Sequence, residues 1–367
     1  MPKLQKLSIS GLRNLEPAEL LPGARFNLIY GENGSGKTSL LEAIYLLSRA
    51  KSFRSTSRAP IIQQGASTCV VHADLDNSVS LGFSRQQAGE QISRINRTTI
   101  KSQAELIGQL PLQVINADAF KILEAGPSSR RAFLDWGVFH VEHRFLGAWQ
   151  KMQRALQNRN ALLKSKVFRE QEIHPWTEEF CQHALAVDEF RQGYLENLTP
   201  RLLRYFDRLL PDSTLKLSYD RGWDSKLALK ESLTSRLEQD RRYGHTGAGP
   251  HRADLKIECQ GMPAVDLLSR GQQKLLVFAM KFAQSTLLAE SNGQQCLFLI
   301  DDLPAELDTS NRAKVLAILA ESGEQVFVTG IEAADLLNAM QMEKETRLFH
   351  VKHGRISPEN VAGFEAP

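Results

Sequence analysis

Eight consecutive residues near the start of the chain have the types and spacing that bind a nucleotide phosphate. They fit the pattern G-x-x-x-x-G-K-[ST] and lie between an apolar run and a segment with helical periodicity. Glycines let several backbone N–H groups point at one phosphate, the lysine reaches the β- and γ-phosphates, and the last hydroxyl serves Mg²⁺. The flanking segments make an incidental glycine-rich turn the weaker interpretation. The members of this phosphate loop are Gly31, Glu32, Asn33, Gly34, Ser35, Gly36, Lys37 and Thr38.

A second apolar run ends in two carboxylates. Residues 297–300 are Leu-Phe-Leu-Ile, and Asp301 and Asp302 follow directly. A buried strand here predicts that Asp301 reaches the Mg²⁺ edge of the phosphate loop. Asp302 then lies beside the γ-phosphate and positions the attacking water. Aspartates also end strands in ordinary turns, but the phosphate loop upstream favours the catalytic role.

Ser269, Gly271 and Gln272 stand at the start of a helix that we predict over residues 271–290. A serine N-cap followed by glycine presents a hydroxyl and free N–H groups, which suit an anion. Taken alone, an ordinary capped helix explains the pattern better. The order along the chain changes this, because the segment follows a phosphate loop and precedes the two aspartates. We therefore predict that it is a second nucleotide-binding segment.

These segments need a scaffold that brings the ends of several strands together. Helical spacing follows the phosphate loop, and strands and helices alternate again toward the end of the chain. This alternation predicts an α/β protein with a mixed, mostly parallel sheet flanked by helices. Short apolar runs predict its buried strands at 26–30, 112–115, 297–300 and 325–329.

The middle of the chain has a different residue pattern. Glycine is rare there and apolar residues recur at helical spacing, with Pro175 and Pro200 as expected breaks. We therefore predict a head made of residues 1–125 and 245–367. A mainly helical lobe of residues 126–244 interrupts it.

Composition limits the class of protein. The chain has 367 residues, 42% hydrophobic and 24% charged, which fits two globular domains or one domain with an insertion. A formal net charge of +3 excludes a highly charged disordered tail and neither demands nor forbids nucleic acid. Four scattered cysteines, no signal-peptide core and no apolar run of about 20 residues predict a cytoplasmic, soluble protein.

The order of the motifs resembles that of the ATP-binding-cassette ATPases. In that family the Ser-x-Gly-Gln element is the signature, which completes the nucleotide site of a partner subunit. The resemblance implies ATP and Mg²⁺ as ligands, with Thr38, Asp301 and Gln113 at the metal. It implies Lys37, Asp302 and Gln113 as the catalytic set, with Gln113 in the place of the Q-loop glutamine.

Two further segments follow the same resemblance. Glu306-Leu307-Asp308 is similar to the D-loop, which lies between the two sites of a cassette dimer. Thr329 stands where cassette ATPases carry a switch histidine, so the sequence does not identify the residue that senses the γ-phosphate. Asp302 replaces the usual glutamate. Its side chain is one methylene shorter, which predicts poorer water placement and slow turnover.

Longer stretches resemble one branch of these ATPases, the RecF family, over nearly the whole chain. One departure is Asn116-Ala117-Asp118, where that family has a proline–acid pair. The resemblance implies an ATP-dependent homodimer that binds double-stranded DNA near single-strand gaps and hydrolyses ATP slowly, stimulated by DNA. It also implies RecR and RecO as partners and RecA loading in gap repair and replication restart. The stretches are Gly11–Leu15, Phe53–Ser55, GPSSRRAFLDW at 126–136, GPHRADL at 249–255, LSRGQ at 268–272 and the acidic motifs after 300.

Basic side chains are the candidates for DNA contacts. The larger group belongs to the stretch 151–169, which has six basic residues and no acidic one. Such a stretch can neutralise phosphates, although a solvated helix face explains it slightly better. The candidates are Lys51, Arg54 and Arg58 after the phosphate loop, and Lys151, Arg154 and Arg159 in the helical lobe.

Other classes of function stay open at this point. The ATPase subunit of a membrane transporter shares the nucleotide motifs but docks on a membrane protein and ignores DNA. A non-hydrolysing DNA clamp keeps ATP as a structural ligand only, and the intact phosphate loop and aspartates argue against it. Arg130 and Arg131 could contact nucleotide, DNA or acidic neighbours, and His251 could be structural or adjacent to the site.

Overall fold

The computed structural model describes residues 3–54, 61–337 and 346–360. The described part divides into two compact units. One unit, which we call the head unit, contains the residues up to Phe120 and those from Lys274 onward. The other, which we call the helical unit, contains Lys121–Gln273.

The elements of both units are numbered along the chain. The strands are β1 (Leu4–Ser10), β2 (Ala18–Leu20), β3 (Phe26–Tyr30), β4 (Thr68–Leu75), β5 (Ser80–Gln86), β6 (Gln91–Ile95), β7 (Thr98–Ile100), β8 (Leu112–Ile115), β9 (Leu215–Asp220), β10 (Asp254–Cys259), β11 (Met262–Pro263), β12 (Leu297–Ile300), β13 (Gln325–Gly330), β14 (Arg347–Lys352) and β15 (Arg355–Glu359). The helices are α1 (Lys37–Arg49), α2 (Gln103–Gln109), α3 (Pro127–Val141), α4 (Phe145–Leu163), α5 (Glu170–Leu209), α6 (Leu229–Ser235), α7 (Leu237–Tyr243), α8 (Ala264–Leu267), α9 (Arg270–Asn292), α10 (Leu303–Glu306), α11 (Thr309–Ser322) and α12 (Ala333–Leu337).

The head unit contains a largely parallel sheet with the order β15-β14-β3-β13-β12-β8. Neighbouring strands are parallel except for β14 and β15. Strands β3, β12 and β13 are buried along almost their whole length, as expected for strands covered on both faces. Parallel strands end on the same side, so the phosphate loop, Asp301 and Thr329 share one edge of the sheet.

The remaining strands of the head unit form a separate sheet, β2-β1-β4-β5-β6-β7, which is antiparallel throughout. Strands β1, β4 and β5 alternate buried and accessible residues, so only one face packs inward. The predicted mixed α/β head is therefore confirmed, but its strands form two sheets. The short connections from β4 to β7 allow only antiparallel pairing, because parallel strands need a long crossover.

Helix α1 lies between the two sheets of the head unit. Its residues Leu41, Ile44 and Leu47 are fully buried in the core. That core includes Phe83 from the antiparallel sheet and Leu299 from the parallel sheet. Burial on two sides fixes the direction of α1 and thereby the position of the phosphate loop that precedes it.

The helical unit is dominated by the paired helices α4 and α5. Helix α5 passes through Pro175 and Pro200, so the breaks predicted at these prolines are absent. Each proline removes one backbone hydrogen bond. On either side of Pro200, however, Leu198 and Leu202 are 0% and 1% exposed, and burial of this apolar stripe keeps the helix continuous.

A three-stranded antiparallel sheet, β11-β10-β9, also belongs to the helical unit. Strand β10 pairs with β9 from Asp254–Asp220 to Cys259–Leu215. The residue pattern predicts that 245–273 belong to the head, whereas the structure groups them with the helical unit, where β10 pairs with β9. The partner of a strand is not encoded in its local periodicity, which is why the two divisions differ.

No helix in the described ranges is long and apolar enough to cross a membrane. All four cysteines are buried free thiols. Burial raises the pKa of Cys69 to about 12 and that of Cys181 to about 11. These thiols stay protonated at neutral pH and act as small apolar side chains.

Candidate nucleotide site

The phosphate loop lies between the end of β3 and the start of α1. Gly31 and Gly36 have φ angles of 145° and 123°, which glycine adopts far more readily than other residues. A Cβ atom on Gly31 would lie 2.2 Å from the carbonyl oxygen of Val351, and one on Gly36 would lie 2.7 Å from Leu15. Backbone conformation and packing both require these two glycines.

Two neighbouring segments hold the loop in place. Asn14 Nδ2 donates to Gly34 O at 3.0 Å, and Ser39 Oγ donates to Asn14 Oδ1 at 3.1 Å. In the turn between β14 and β15, the Gly354 N–H donates to Ser35 O at 2.8 Å. Asn14 falls in the first of the family-like stretches, whereas the contact from the β14–β15 turn becomes visible only in the fold.

Lys37 is the cation of the site. Its Nζ donates to the carbonyl oxygens of Gly31 at 2.6 Å and Glu32 at 2.9 Å, and the residue is 7% exposed. Burial lowers the pKa of Lys37, and the carboxylates of Asp302 and Asp301 oppose that shift. Within the described ranges no carboxylate forms an ion pair with it. A nearly enclosed ammonium held by carbonyl oxygens of its own loop fits an anionic ligand.

Asp301 is surrounded by hydroxyl groups at the end of β12. Thr38 Oγ1 lies 3.0 Å from each carboxylate oxygen, and Thr329 Oγ1 donates to Oδ1 at 2.8 Å. Hydroxyl and carboxylate oxygens are ligands that Mg²⁺ accepts. The structure thus brings together Thr38 and Asp301, the pair predicted for the metal.

Asp302 has a left-handed backbone conformation, with φ 53° and ψ 50°. Its Oδ1 is buried and has no hydrogen-bond partner among the residues that the structure describes. Burial raises the pKa of Asp302 and the neighbouring Asp301 raises it further, while Lys37 opposes the shift. A fixed carboxylate with a free acceptor atom suits the positioning of a water molecule.

Gln113 does not lie at the metal edge. In β8 it pairs with Phe298, and Asp301 is three residues beyond Phe298, about 10 Å along the strand. The side chain is 1% exposed, and its Nε2 donates to Gln284 Oε1 at 3.2 Å. The register therefore argues against the catalytic and metal roles predicted for Gln113. Asn116, directly after β8, is the polar residue at the edge that carries Asp301.

The Ser-x-Gly-Gln segment begins helix α9 in the way that the sequence predicts. The Ser269 N–H donates to Gln272 Oε1 at 2.9 Å, and the Gln272 N–H donates to Ser269 Oγ at 3.4 Å. This reciprocal pair is a capping arrangement that satisfies two terminal N–H groups. Ser269 and Gly271 are exposed, so the helix start is accessible to another molecule.

The D-loop-like segment 306–308 connects α10 to α11. In the head unit, Lys274 of α9 forms an ion pair with Glu306 at 2.8 Å and also donates to the Glu306 carbonyl oxygen at 2.8 Å. Asp308 caps α11, because its side chain accepts from the Asn311 N–H at 2.9 Å. Both acidic residues of this segment therefore have defined local partners.

The basic candidates differ in accessibility. Lys51, Arg54, Lys151 and Arg154 are exposed, and Arg58 lies outside the described residues. Arg159 is 1% exposed. Its guanidinium makes hydrogen bonds to three side chains of the helical unit: Asp240 at 3.0 Å, Thr246 at 2.6 Å and Thr177 at 3.3 Å. The prediction that Arg159 contacts DNA is therefore wrong, because helical spacing places this residue on the buried face of α4.

Arg130, Arg131 and His251, whose roles the sequence leaves open, all have partners inside the helical unit. Arg130 makes two hydrogen bonds to the Asp254 carboxylate, at 2.7 and 3.0 Å. Arg131 donates to the Ala253 carbonyl oxygen at 2.7 Å, and a ring nitrogen of His251 lies 2.9 Å from Thr246 O. These contacts favour structural roles over direct contact with ligand.

Comparison with known proteins agrees with this fold and site. The family model described as RecF/RecN/SMC N terminal domain matches residues 3–357. The DNA replication and repair protein RecF of Pseudomonas putida strain F1 is 44% identical over 96% of this chain and 98% of its own length. RecF of Stutzerimonas stutzeri strain A1501 is 43% identical over 96% of this chain and 97% of its own length.

Solved structures show the same similarity. The recombination mediator protein RecF, in its ATP form in the RecFOR pathway, is 25% identical with a TM-score of 0.86, covering 98% of both chains. The Smc head domain of Pyrococcus furiosus is 16% identical with a TM-score of 0.63, covering 99% of this chain and 98% of its own. The second likeness concerns the fold alone.

Fold and site together define an ATPase head of the RecF/RecN/SMC class. Within that class the chain belongs to the RecF family of DNA replication and repair proteins. The family resemblance inferred from the sequence stretches and the predicted fold class are confirmed.

Proposed function

We propose that the chain is an ATP-dependent, DNA-binding recombination mediator. It binds ATP with Mg²⁺, dimerises around two nucleotides and binds double-stranded DNA near single-strand gaps. Slow hydrolysis, stimulated by DNA, ends the DNA-bound state. With RecR and RecO it promotes RecA loading in gap repair and replication restart. The relatives named for DNA replication and repair, and the ATP form of RecF from the RecFOR pathway, support this proposal.

The observation that carries the proposal is the convergence of Lys37, Thr38, Asp301 and Asp302 at one sheet edge. Lys37, which has no carboxylate partner among the described residues, supplies a cation for phosphate, and Thr38 with Asp301 offers the oxygen ligands that Mg²⁺ prefers. When bound there, Mg²⁺ offsets the charge that develops on the phosphate oxygens. Asp302 accepts a hydrogen bond from the attacking water with its free Oδ1 and so orients it.

The second half of each site comes from another copy of the chain. The capped start of α9, at Ser269–Gln272, keeps Ser269 and Gly271 exposed. A helix start of this kind stabilises negative charge, since its remaining N–H groups lack partners within the helix. ATP then contacts both copies, which makes dimerisation depend on the nucleotide.

Exposed basic side chains supply the DNA contacts. Lys51, Arg54, Lys151 and Arg154 are accessible, and Lys151 and Arg154 lie three residues apart on one face of α4. Contacts to backbone phosphates bring affinity without sequence readout. We expect K151A/R154A to lower the salt dependence of duplex binding by about two units of slope. The control K216A/K226A removes two exposed cations of the same unit and leaves the slope unchanged.

Sedimentation of the purified protein with parallel ATP turnover tests the proposal. Four samples are compared: no nucleotide, ATP, ATP with Mg²⁺, and ATP with Mg²⁺ and gapped duplex DNA. We expect a monomer to become a dimer with ATP and Mg²⁺, and turnover to rise with DNA. A protein that stays monomeric and ignores DNA contradicts the proposal.

Asp302→Asn separates dimerisation from hydrolysis. The amide keeps the shape but cannot act as the water-positioning carboxylate, so turnover falls by about 100-fold or more while ATP-dependent dimers form and persist. Asp266→Asn changes an exposed aspartate and serves as the control. Failure of Asp302→Asn to dimerise with ATP would show that Asp302 is not the residue that orients water.

A transporter ATPase subunit is the alternative. It predicts turnover that responds to a membrane partner and not to DNA. The relatives at 43–44% identity are DNA replication and repair proteins over nearly their full length, which favours the mediator.

A further inference from the structure

Thr329 occupies a fully enclosed position next to the two aspartates. It lies near the end of β13, between β12 and β3, and is 0% exposed. Its register partner in β3 is Ile29, one residue before the end of that strand. The side chain therefore lies beneath the edge that carries the phosphate loop and Asp301.

Both hydrogen-bonding functions of the Thr329 hydroxyl are used. Oγ1 accepts a hydrogen bond from the Asp302 N–H at 2.7 Å and donates one to Asp301 Oδ1 at 2.8 Å. A hydroxyl has one proton, so this donation leaves none for a third group. Enclosure and complete use of its donor mean that Thr329 cannot act on a phosphate as a switch histidine does.

The contact with Asp302 has a conformational consequence. Asp302 has a φ of 53°, a region that aspartate enters more readily than most residues but still at an energetic cost, so local contacts help to hold it there. The Thr329 hydroxyl holds the N–H of Asp302 itself. That conformation directs the carboxylate whose Oδ1 is buried without a hydrogen-bond partner among the described residues.

The contact with Asp301 complements that of Thr38. Thr38 Oγ1 lies 3.0 Å from both oxygens of Asp301, but Thr38 belongs to the phosphate loop and is assigned to Mg²⁺. Thr329 belongs to the buried sheet and is not part of the phosphate loop. It is therefore the hydroxyl that holds Asp301 whether or not Thr38 is engaged by a ligand.

We infer that Thr329 is a positioning residue that sets the relative geometry of the Mg²⁺-binding Asp301 and the water-orienting Asp302 through one hydroxyl. The inference rests on the proposed function of this site. In place of the switch histidine of cassette ATPases, this chain has a buried hydroxyl that links two adjacent carboxylates.

A matched pair of substitutions in the full-length protein tests this. Thr329→Val keeps the shape and removes the hydroxyl, whereas Thr329→Ser keeps the hydroxyl. We expect Thr329→Val to lower kcat by about 10- to 100-fold, the usual effect of losing a residue that orients a metal-site ligand. We expect KM for ATP with Mg²⁺ to rise by about 10-fold, because Asp301 holds the metal less well, and Thr329→Ser to stay within about threefold of the wild type in both kcat and KM. Thermal unfolding is followed for both variants.

A double variant shows whether Thr329 acts through Asp302. If it does, adding Thr329→Val to Asp302→Asn lowers kcat by less than Thr329→Val does alone. Wild-type kcat in Thr329→Val overturns the inference. Equal losses of kcat and thermal stability in the Val and Ser variants also overturn it, because that result indicates a packing role.

If the proposed function is wrong because the chain does not hydrolyse ATP, a binding measurement still tests the role of Thr329. If the wild type binds ATP but shows no turnover, hydrolysis is excluded, and ATP affinity is then measured with Mg²⁺ and with EDTA. Thr329→Val should weaken only the Mg²⁺-dependent part of that affinity, by about 10-fold. An unchanged Mg²⁺ dependence in Thr329→Val overturns the inference independently of turnover.

Discussion

Buried charged groups have different partners in the core of the helical unit and at the edge of the head-unit sheet that carries the nucleotide site. In the helical unit, Arg191 meets Asp135 through two hydrogen bonds, at 2.8 and 2.9 Å, and donates to the Pro250 carbonyl oxygen at 2.7 Å. At the site edge, Lys37 has only carbonyl oxygens of its own loop, and Asp302 Oδ1 has no partner in the described structure.

The difference marks a site and not a whole unit. The head unit also has a satisfied pair, since Arg13 binds both carboxylate oxygens of Glu42 at 2.8 and 2.9 Å. Satisfied pairs fix the scaffold, because removing one partner leaves the other charge buried and unpaired. Unsatisfied groups that the scaffold holds in place are available to a ligand. Burial alone does not distinguish the charged groups of the scaffold from those of the site. The hydrogen-bond and ion-pair partners of each group do.

The largest expected effect comes from Lys37, the buried cation that has no carboxylate partner among the described residues. Lys37→Met removes the charge that faces the phosphate, so ATP binding and turnover fall by at least about 100-fold. The free energy of unfolding changes by less than about 2 kcal/mol, because the variant loses two hydrogen bonds to carbonyl oxygens but also removes the cost of burying the charge. ATP titration and chemical denaturation measure the two quantities. Lys101→Met, at an exposed position between β7 and α2 of the head unit, is the control.

For Arg191, which has a carboxylate partner, we expect the reverse: a large loss of stability and no change in ATP affinity. Arg191→Met leaves Asp135 without its partner and lowers the free energy of unfolding by about 3–5 kcal/mol. ATP affinity of the folded fraction stays at the wild-type value. Arg204→Met, an exposed position on the same helix, should change stability by less than about 1 kcal/mol. A loss of ATP affinity without loss of stability in Arg191→Met would contradict the comparison.

The smallest expected effect is a pH dependence from the helical unit. Burial, followed by Arg252 and Arg131, lowers the pKa of His251 to about 4, although its contact with Thr246 opposes the shift. The unfolded chain takes up this proton near pH 6.5, so stability is complete above that pH and declines as pH falls toward 4.

Denaturation curves between pH 4 and 7.5 measure this effect. His251→Gln keeps a donor for Thr246 and removes the titration, so it should flatten the curve by an amount on the order of 3 kcal/mol. An identical pH slope in the variant and the wild type would show that His251 does not account for the loss.

Sequence patterns predict the strands that carry the site well, because buried parallel strands are short apolar runs followed by polar residues. Asp301 after β12 and Lys37 after β3 follow from that rule. The error at Gln113 comes from using residue type without register, and Asn116 satisfies the same rule after β8. The Thr329 contacts and the β14–β15 turn depend on the order of strands in the sheet, which local periodicity does not encode.

Arg159 shows the same limit in the helical unit. Its basic neighbours Lys151 and Arg154 are exposed, but Arg159 lies on the buried face of α4 and forms an ion pair with Asp240 of α7. A run of basic residues predicts net charge and not the direction of each side chain. Which charges are buried depends on the packing of α4 against elements distant in sequence.

The central claim, that two copies of the chain complete each nucleotide site, is tested most directly by mixing two inactive variants. Lys37→Met lacks the phosphate-loop cation, and Ser269→Arg blocks the capped start of α9. In a mixed dimer one site has both halves intact, so turnover should reappear at up to about a quarter of the wild-type value. A mixture of Lys37→Met with Asp302→Asn, whose defects lie in the same half, should stay inactive. Turnover of the first mixture that equals the sum of its separate components would contradict the claim.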